Sequence, residues 1–302
     1  MDVLSDAVAA MRNGRAHSSR TRFTAPWGVR FAPFAGAGFH VVLQGTCWVL
    51  PTRGEPVRLG VGDLVLLPHG RAHGLADAPT TPLRDAGDPG SLPPAPPPDG
   101  DPAATVLLCG AYLLDRARPH PLLTELPEVV HLSSRVGAHP ELRTVLDLLG
   151  AELDHPREGS TGIVPALLDT LLLYALRAWH EEQARHRTAT GWARALRDPA
   201  VAASLRAIHR DPAHPWTVAS LGAVAGLSRS PFARRFTALV GRPPLAYLTW
   251  WRMTLAAQLL RADDRPVARV AEQVGYTSEY AFSKAFRRAY DTSPGRYRRA
   301  PS

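Results

Sequence analysis

The sequence predicts two domains of different class, an N-terminal β jelly-roll-like sandwich or barrel with trailing helices and a C-terminal all-α domain of two tandem helix-turn-helix units. Three observations predict it. A nine-residue pattern occurs twice, fifty positions apart: Ser228-Arg-Ser-Pro-Phe232-Ala-Arg234-Arg-Phe236 and Ser278-Glu-Tyr-Ala-Phe282-Ser-Lys284-Ala-Phe286. The first third of the chain instead alternates short β-rich runs with Gly and Pro. Charge divides along the same line, with eighteen Lys and Arg against seven Asp and Glu from Ala193 onward, and seventeen against twenty before it. With 302 residues and 45% hydrophobic content, the chain is long enough to bury two cores.

From Phe23 to Tyr112 the runs Phe39–Leu43, Thr46–Leu50, Asp63–Leu67 and Thr105–Cys109 read as strands separated by turn residues, the grammar of a sandwich or barrel. The stretch Pro79 to Pro102 holds nine prolines and cannot bury enough apolar surface to order itself, so it reads as an excursion between two strands. After Asp115 the pattern turns helical. Pro140–Leu153 and Thr161–Gln183 carry Leu at three- and four-residue intervals, and the second shows a wider apolar face than one packing partner needs. That excess suits either core packing or a dimer interface. The boundaries that follow are 1–185 for the first domain (barrel about 20–115, helices about 138–185), 186–192 for a polar linker and 193–302 for the second.

In the second domain, Thr217–Ala225 runs through Gly226 into the first nine-residue copy, and Val267–Val274 through Gly275 into the second. A helix, a short Gly-containing turn and a second helix is the arrangement whose second helix enters a DNA major groove. In each copy the two Phe lie four apart on one face and the leading Ser suits an N-cap. Between the units, Pro244–Ala262 reads as one connecting helix of nineteen residues, about 28 Å long, suited to spacing two reading helices by about one 34 Å turn of duplex. The 193–302 segment carries its own aromatic core and is expected to fold alone.

These residues resemble the DNA-binding domain of AraC/XylS-type transcription regulators. The resemblance covers Ala193 to Arg299 and is most specific over Gly275-Tyr-x-Ser-x3-Phe282-Ser-x2-Phe286-Arg-x2-Tyr290-x2-Ser293-Pro294-x2-Tyr297-Arg298. It implies base contacts from Ser230, Ala233 and Arg234 in the first reading helix and from Glu279, Tyr280 and Lys284 in the second. Arg229, Arg235, Arg287 and Arg288 are the expected phosphate contacts. Arg234 or Lys284 suits guanine O6/N7, whereas Ala233 offers apolar contact to a thymine methyl. The basic balance of this half, +11, is independent support for a phosphate backbone as partner.

In the first domain, Gly62-x5-Pro68-x-Gly70-x2-His73 resembles the second motif of cupins, with Asp77 where that family usually has Asn. At the first cupin motif this chain has His40-Val-Val42, then Cys47, then Gly54, so one His has become Val and the Glu has become Cys. The resemblance brings His40, Cys47 and His73 together inside a barrel, with Cys109 on a later strand. Two His with one or two Cys suits tetrahedral zinc, and it argues against oxygenase chemistry, which prefers two His and a carboxylate. Redox sensing by Cys47 and Cys109, an organic ligand, and an ordinary core remain open beside zinc. With two cysteines a disulfide scaffold is excluded.

The expectation is thus a sequence-specific transcription regulator responding to a small-molecule or redox effector. Its partners would be promoter or operator duplex DNA, RNA polymerase if it activates, and a second copy of the chain. The competing class, a cupin-type metal-dependent enzyme fused to a DNA-binding module, is disfavoured because no paired carboxylate accompanies His40 and His73. A cytoplasmic, non-membrane protein is expected, since the apolar run Ile163–Trp179 is interrupted by Asp169 and Arg177 and no export-type segment opens the chain.

Overall fold

The computed structural model describes residues 2–299 apart from 13, 15, 87–103, 115–119, 134–138 and 186–190. Most of the proline-rich stretch and most of the expected linker lie outside the described residues. By contacts the chain divides into two compact units that do not follow its order. One runs from Arg12 through the strands and then covers 126–179; the other holds the first eleven residues, 120–125 and everything from His180 onward.

The first unit is a two-sheet structure. In one sheet the order is β1 (His17–Phe23), β9 (Thr105–Leu113), β3 (Gly36–Gln44), β6 (Leu64–Leu67) and β10 (Val130–Leu132); in the other it is β5 (Val57–Leu59), β4 (Cys47–Pro51), β7 (His73–Ala76), β2 (Gly28–Phe31) and β8 (Arg84–Asp85). All pairs are antiparallel except β2 with β8. Cys47 and Val49 of β4 and Leu107 and Cys109 of β9 are two apart, so each pair faces one way. They join Val29, Val42, Leu59, Val65 and Leu75 in a single buried cluster drawn from both sheets. The four strands expected from apolar runs are all present. His17–Phe23 carries too few apolar residues to have announced itself.

Helices α3 (Pro140–Asp154) and α4 (Ser160–Arg185) follow the strands. Residues 160–183 of α4 form a helix long and apolar enough, by length and composition, to cross a membrane, longer than the run Ile163–Trp179 suggested. Its Leu168, Leu171, Leu172, Ala175 and Leu176 are buried, the Tyr112 hydroxyl donates to the Leu168 carbonyl at 2.7 Å, and Asp169 is ion-paired with Arg12. These contacts pack one face of α4 into the first unit.

The second unit is all helical: α1 (Val3–Met11), α2 (Pro121–Thr124), α5 (Gly191–Ala195), α6 (Pro199–Arg210), α7 (Val218–Val224), α8 (Arg229–Val240), α9 (Pro244–Ala262), α10 (Val267–Gln273), α11 (Glu279–Tyr290) and α12 (Pro294–Arg299). The starts follow from capping chemistry. Asp198 accepts from the Val201 amide at 3.1 Å, Thr217 and Ser220 cap each other's backbone, and Ser278 accepts from the Ala281 amide at 3.3 Å. Ser228 occupies the N-cap of α8 but its side chain makes no cap bond, a difference between the two copies that the shared Ser concealed. The connecting helix α9 has the bounds its pattern predicted.

The two turns are also unequal. Gly226 has φ +65° and open space where a Cβ would stand; Gly275 has φ +85°, and a Cβ there would lie 2.7 Å from backbone atoms of Ala213. The same loop is tied to α9 by Arg252, which donates to the carbonyls of Pro212 at 2.7 Å and His214 at 2.9 Å. The helix that spaces the two units is therefore also hydrogen-bonded to the loop that precedes the first of them.

Candidate DNA-reading surface and sensory cavity

The repeated Phe pairs fix which side of each reading helix is free. In α8, Phe232 and Phe236 are fully buried with ring centroids 5.6 Å apart; in α11, Phe282 and Phe286 are fully buried at 5.7 Å. On the faces turned away from them, Arg229, Ser230, Arg234, Glu279, Tyr280, Lys284, Arg287 and Arg288 are exposed, while Ala233 is half-buried. Tyr280 is 79% exposed, an aromatic ring held in solvent at the start of the second reading helix. Arg235 differs from the other arginines because its Nε and Nη2 donate to one oxygen of Asp198 at 2.8 and 2.5 Å. Burial pushes the Asp198 carboxyl up, but the Val201 amide and Arg235 more than offset this and hold it below the usual range. Arg235 thus braces α8 against the start of α6.

Between the two sheets of the first unit lies a cavity of about 260 Å³, lined among others by Ser18, Phe31, Phe34, His40, His73 and Cys109. The Nε2 atoms of His40 and His73 are 2.8 Å apart, and Nδ1 of His73 lies 3.0 Å from the Arg71 carbonyl. A carbonyl only accepts, so His73 carries its proton on Nδ1, its Nε2 accepts from His40, and His40 Nδ1 is left as a bare acceptor. Burial and the neighbouring His73 hold His40 well below the ordinary imidazole pKa, and burial lowers His73 against the opposing pull of the Arg71 carbonyl. Both rings are neutral at pH 7. Neither His40 Nδ1 nor Ser18 Oγ has a hydrogen-bond partner among the described residues, although both are buried. Phe31 stacks on His73 at 4.9 Å with planes 7° apart, which fixes that ring from the side.

Comparison with known proteins decides what these two sites belong to. A cupin family profile matches residues 2–181 and a helix-turn-helix domain profile matches residues 221–300. A putative AraC-like transcription regulator of Streptomyces lividans is 37% identical over all of this chain and 99% of its own length. The regulator AlkR of Acinetobacter baylyi is 32% identical over 86% of both chains, and the RCS-specific transcriptional activator RclR of Escherichia coli is 30% identical over 86% of this chain and 83% of its own. The chain belongs to the AraC-like transcription regulators. It is a DNA-binding regulator of transcription with double-stranded DNA as its partner, and not an enzyme.

In this AraC-like regulator the expected sensory residues are brought together only in part. His40 and His73 meet, and Cys109, opposite His40 in the strand register, lines the same cavity. Cys47 is fully buried in the core cluster, where burial, with Asp63 nearby, pushes its thiol up to about 12. Cys109 is raised further by burial and by Cys47. Among the described residues no group of three or more His, Cys, Asp or Glu is placed to hold a metal ion, and both cysteines are free. The donor set therefore does not fit a tetrahedral zinc centre. The cavity wall also includes Ser18, Phe31 and Phe34, which sequence reasoning missed; the Phe31-x-x-Phe34 pair beside a polar strand was the available signal.

Proposed function

We propose that this AraC-like regulator binds a small neutral organic molecule in the 260 Å³ cavity and reads its operator through Ser230, Ala233 and Arg234 of α8 and Glu279, Tyr280 and Lys284 of α11. The observation that carries the sensory part is the buried acceptor His40 Nδ1, an atom of a wall residue that has no hydrogen-bond partner among the described residues. Such a group costs about 1–3 kcal/mol unless something donates to it. A mostly apolar molecule with one O–H or N–H donor matches that need and the Phe31 and Phe34 walls. Phenol is a suitable probe. It is expected to raise the melting temperature of the full chain saturably, and the variant Gly38→Leu, which fills the cavity from its wall at Gly38, is expected to lose the effect. Stoichiometric zinc in the purified protein, lost in Cys109→Ser, would instead assign the imidazole pair to a metal.

The alternative is a redox reading through Cys47 and Cys109, the two cysteines of the barrel. The buried, protonated thiols argue against it, because the thiolate is the reactive form. We take the functional organisation to be 1–185 for sensing and dimerisation, 186–192 for the linker and 193–302 for DNA reading. Dimerisation would use the face of α4 that leaves Ile163 exposed, RNA polymerase would be a partner if the protein activates, and the setting would be cytoplasmic.

Arg234→Ala and Lys284→Ala are each expected to cost about 1–3 kcal/mol on a selected duplex and to relax preference at one base pair. Arg287→Ala is expected to weaken all sequences alike and to reduce the slope of log affinity against log salt by about one. Fluorescence anisotropy across a salt series measures both. Equal affinity of both reading-helix variants and the wild type at fixed salt would overturn the contact assignment.

A further inference from the structure

The helical unit encloses a run of buried polar groups that neither DNA reading nor the cavity uses. Asp6 of α1, His209 of α6, Tyr247 of α9 and His120, the residue before α2, are all buried, with His120 and Tyr247 fully so. The Leu122 amide donates to His120 Nδ1 at 3.1 Å, so the proton of His120 is on Nε2, which lies 3.3 Å from the Tyr247 hydroxyl. That hydroxyl lies 2.7 Å from His209 Nε2, and His209 Nδ1 lies 3.2 Å from a carboxylate oxygen of Asp6. One assignment satisfies every member: His120 donates to Tyr247, Tyr247 to His209, and His209 to Asp6.

Two further bonds clamp the same segments. Glu125 accepts from the Trp192 amide at 2.7 Å, and Gln258 of α9 donates to the Ala9 carbonyl at 2.7 Å. Gly191 is needed for the first, since a Cβ there would lie 2.2 Å from the Glu125 carboxylate. Through Gln258 and Tyr247, the helix that spaces the two reading helices is bonded to two pieces of chain that come from the cupin-matching stretch.

The sequence position of those pieces gives the chain of bonds a role. In sequence order α1 is followed by β1, which supplies Ser18 to the cavity wall, and β9, which supplies Cys109, is followed by His120. We propose that the Asp6–His209–Tyr247–His120 chain is the coupling element of this regulator: a change at the cavity reaches the DNA-reading scaffold along β1 and β9, whose continuations this chain of bonds fastens to α9. The proposal rests on the cavity being the signal site. Tyr247 is then a positioning residue, acting on DNA affinity through the seat of α9.

Hydrogen-exchange mass spectrometry on the full chain tests it, with affinity for a duplex that the wild type selects from a random library. Tyr247→Phe removes both bonds at the centre of the chain and keeps the ring; Asp6→Asn weakens its outer end. Each is expected to speed exchange in 3–11 and 120–125 at least tenfold, leave α8 and α11 protected, and change duplex affinity at least threefold. Gly38→Leu, which adds a side chain at the cavity wall, is expected to shift exchange in the same two segments, and Tyr247→Phe is expected to abolish that shift. Exchange and affinity within twofold of wild type in both chain variants would overturn the proposal, and so would a Gly38→Leu protein with unchanged segments. If phenol fails to bind while Gly38→Leu still moves the two segments, the ligand class falls and the coupling stands.

Discussion

Acidification from pH 6.5 to 5 is expected to remove about 3 kcal/mol from the stability of the helical unit through two buried imidazoles. Burial keeps His120 well below the ordinary value, with His209 and Arg242 adding repulsion, and burial holds His180 at about 4. In the unfolded chain both rings take up protons below about 6.5, whereas the folded unit keeps them neutral. Their contribution is therefore complete about one unit above pH 6.5 and is lost as the pH falls, at up to about 1.4 kcal/mol per unit for each ring, or about 1.6 kcal/mol each over this range. His209 adds in the same direction, since burial lowers it despite the pull of Asp6. Urea midpoints followed by the fluorescence of Trp192, Trp250 and Trp251 measure the effect. A midpoint that stays level or rises on acidification would show that these rings are charged in the fold.

The second large effect separates two glycines that the repeat makes look equivalent. Gly275→Ala is expected to cost roughly 3 kcal/mol or more, and Gly226→Ala about 1 kcal/mol. Both place a Cβ on a left-handed residue, which accounts for the smaller figure. At Gly275 that Cβ also falls 2.7 Å from backbone of Ala213, which cannot rotate away as a side chain would, so the turn or the loop must move. The Arg252 guanidinium, 2.8 Å from the same point and holding the loop carbonyls, is disturbed with it. Denaturation of the two variants gives the stabilities, and duplex binding should fall further for Gly275→Ala than for Gly226→Ala. Equal losses would mean that the loop relaxes freely.

The helical half was legible because its signals are local. Phe232, Phe236, Phe282 and Phe286 recur at helical spacing, Gly226 and Gly275 sit in the turns, and Pro244 opens the connecting helix, so element type and exposed face followed from spacing alone. The limits appear where partners are remote. Arg235 looked like its neighbours until Asp198 met it from thirty-seven positions away. In the barrel, His40 and His73 could be paired because a motif carried them, whereas Cys47 occupied a motif position yet lies in the apolar core cluster and not beside the two imidazoles on the cavity wall. Ser18, on a strand without apolar alternation, gave no warning that it belongs to the cavity wall. Least legible were α1 and 120–125, because sequence order assigned them to the barrel and nothing in residues such as Asp6 or His120 names a partner in the other half.

Those remote partners also impose an order on synthesis. Asp6 meets His209, made 203 positions later. At about 5–20 residues per second, the first helix leaves the ribosome some 10–40 s before the imidazole that anchors it exists. The strands between them can close first, so the nascent chain passes through a stage in which a finished sheet structure carries two loose ends. A chaperone that shields short apolar helices, or a pause before α6, would have its effect at that stage, and early termination after the barrel would leave Val3, Val8 and Met11 without the core that buries them.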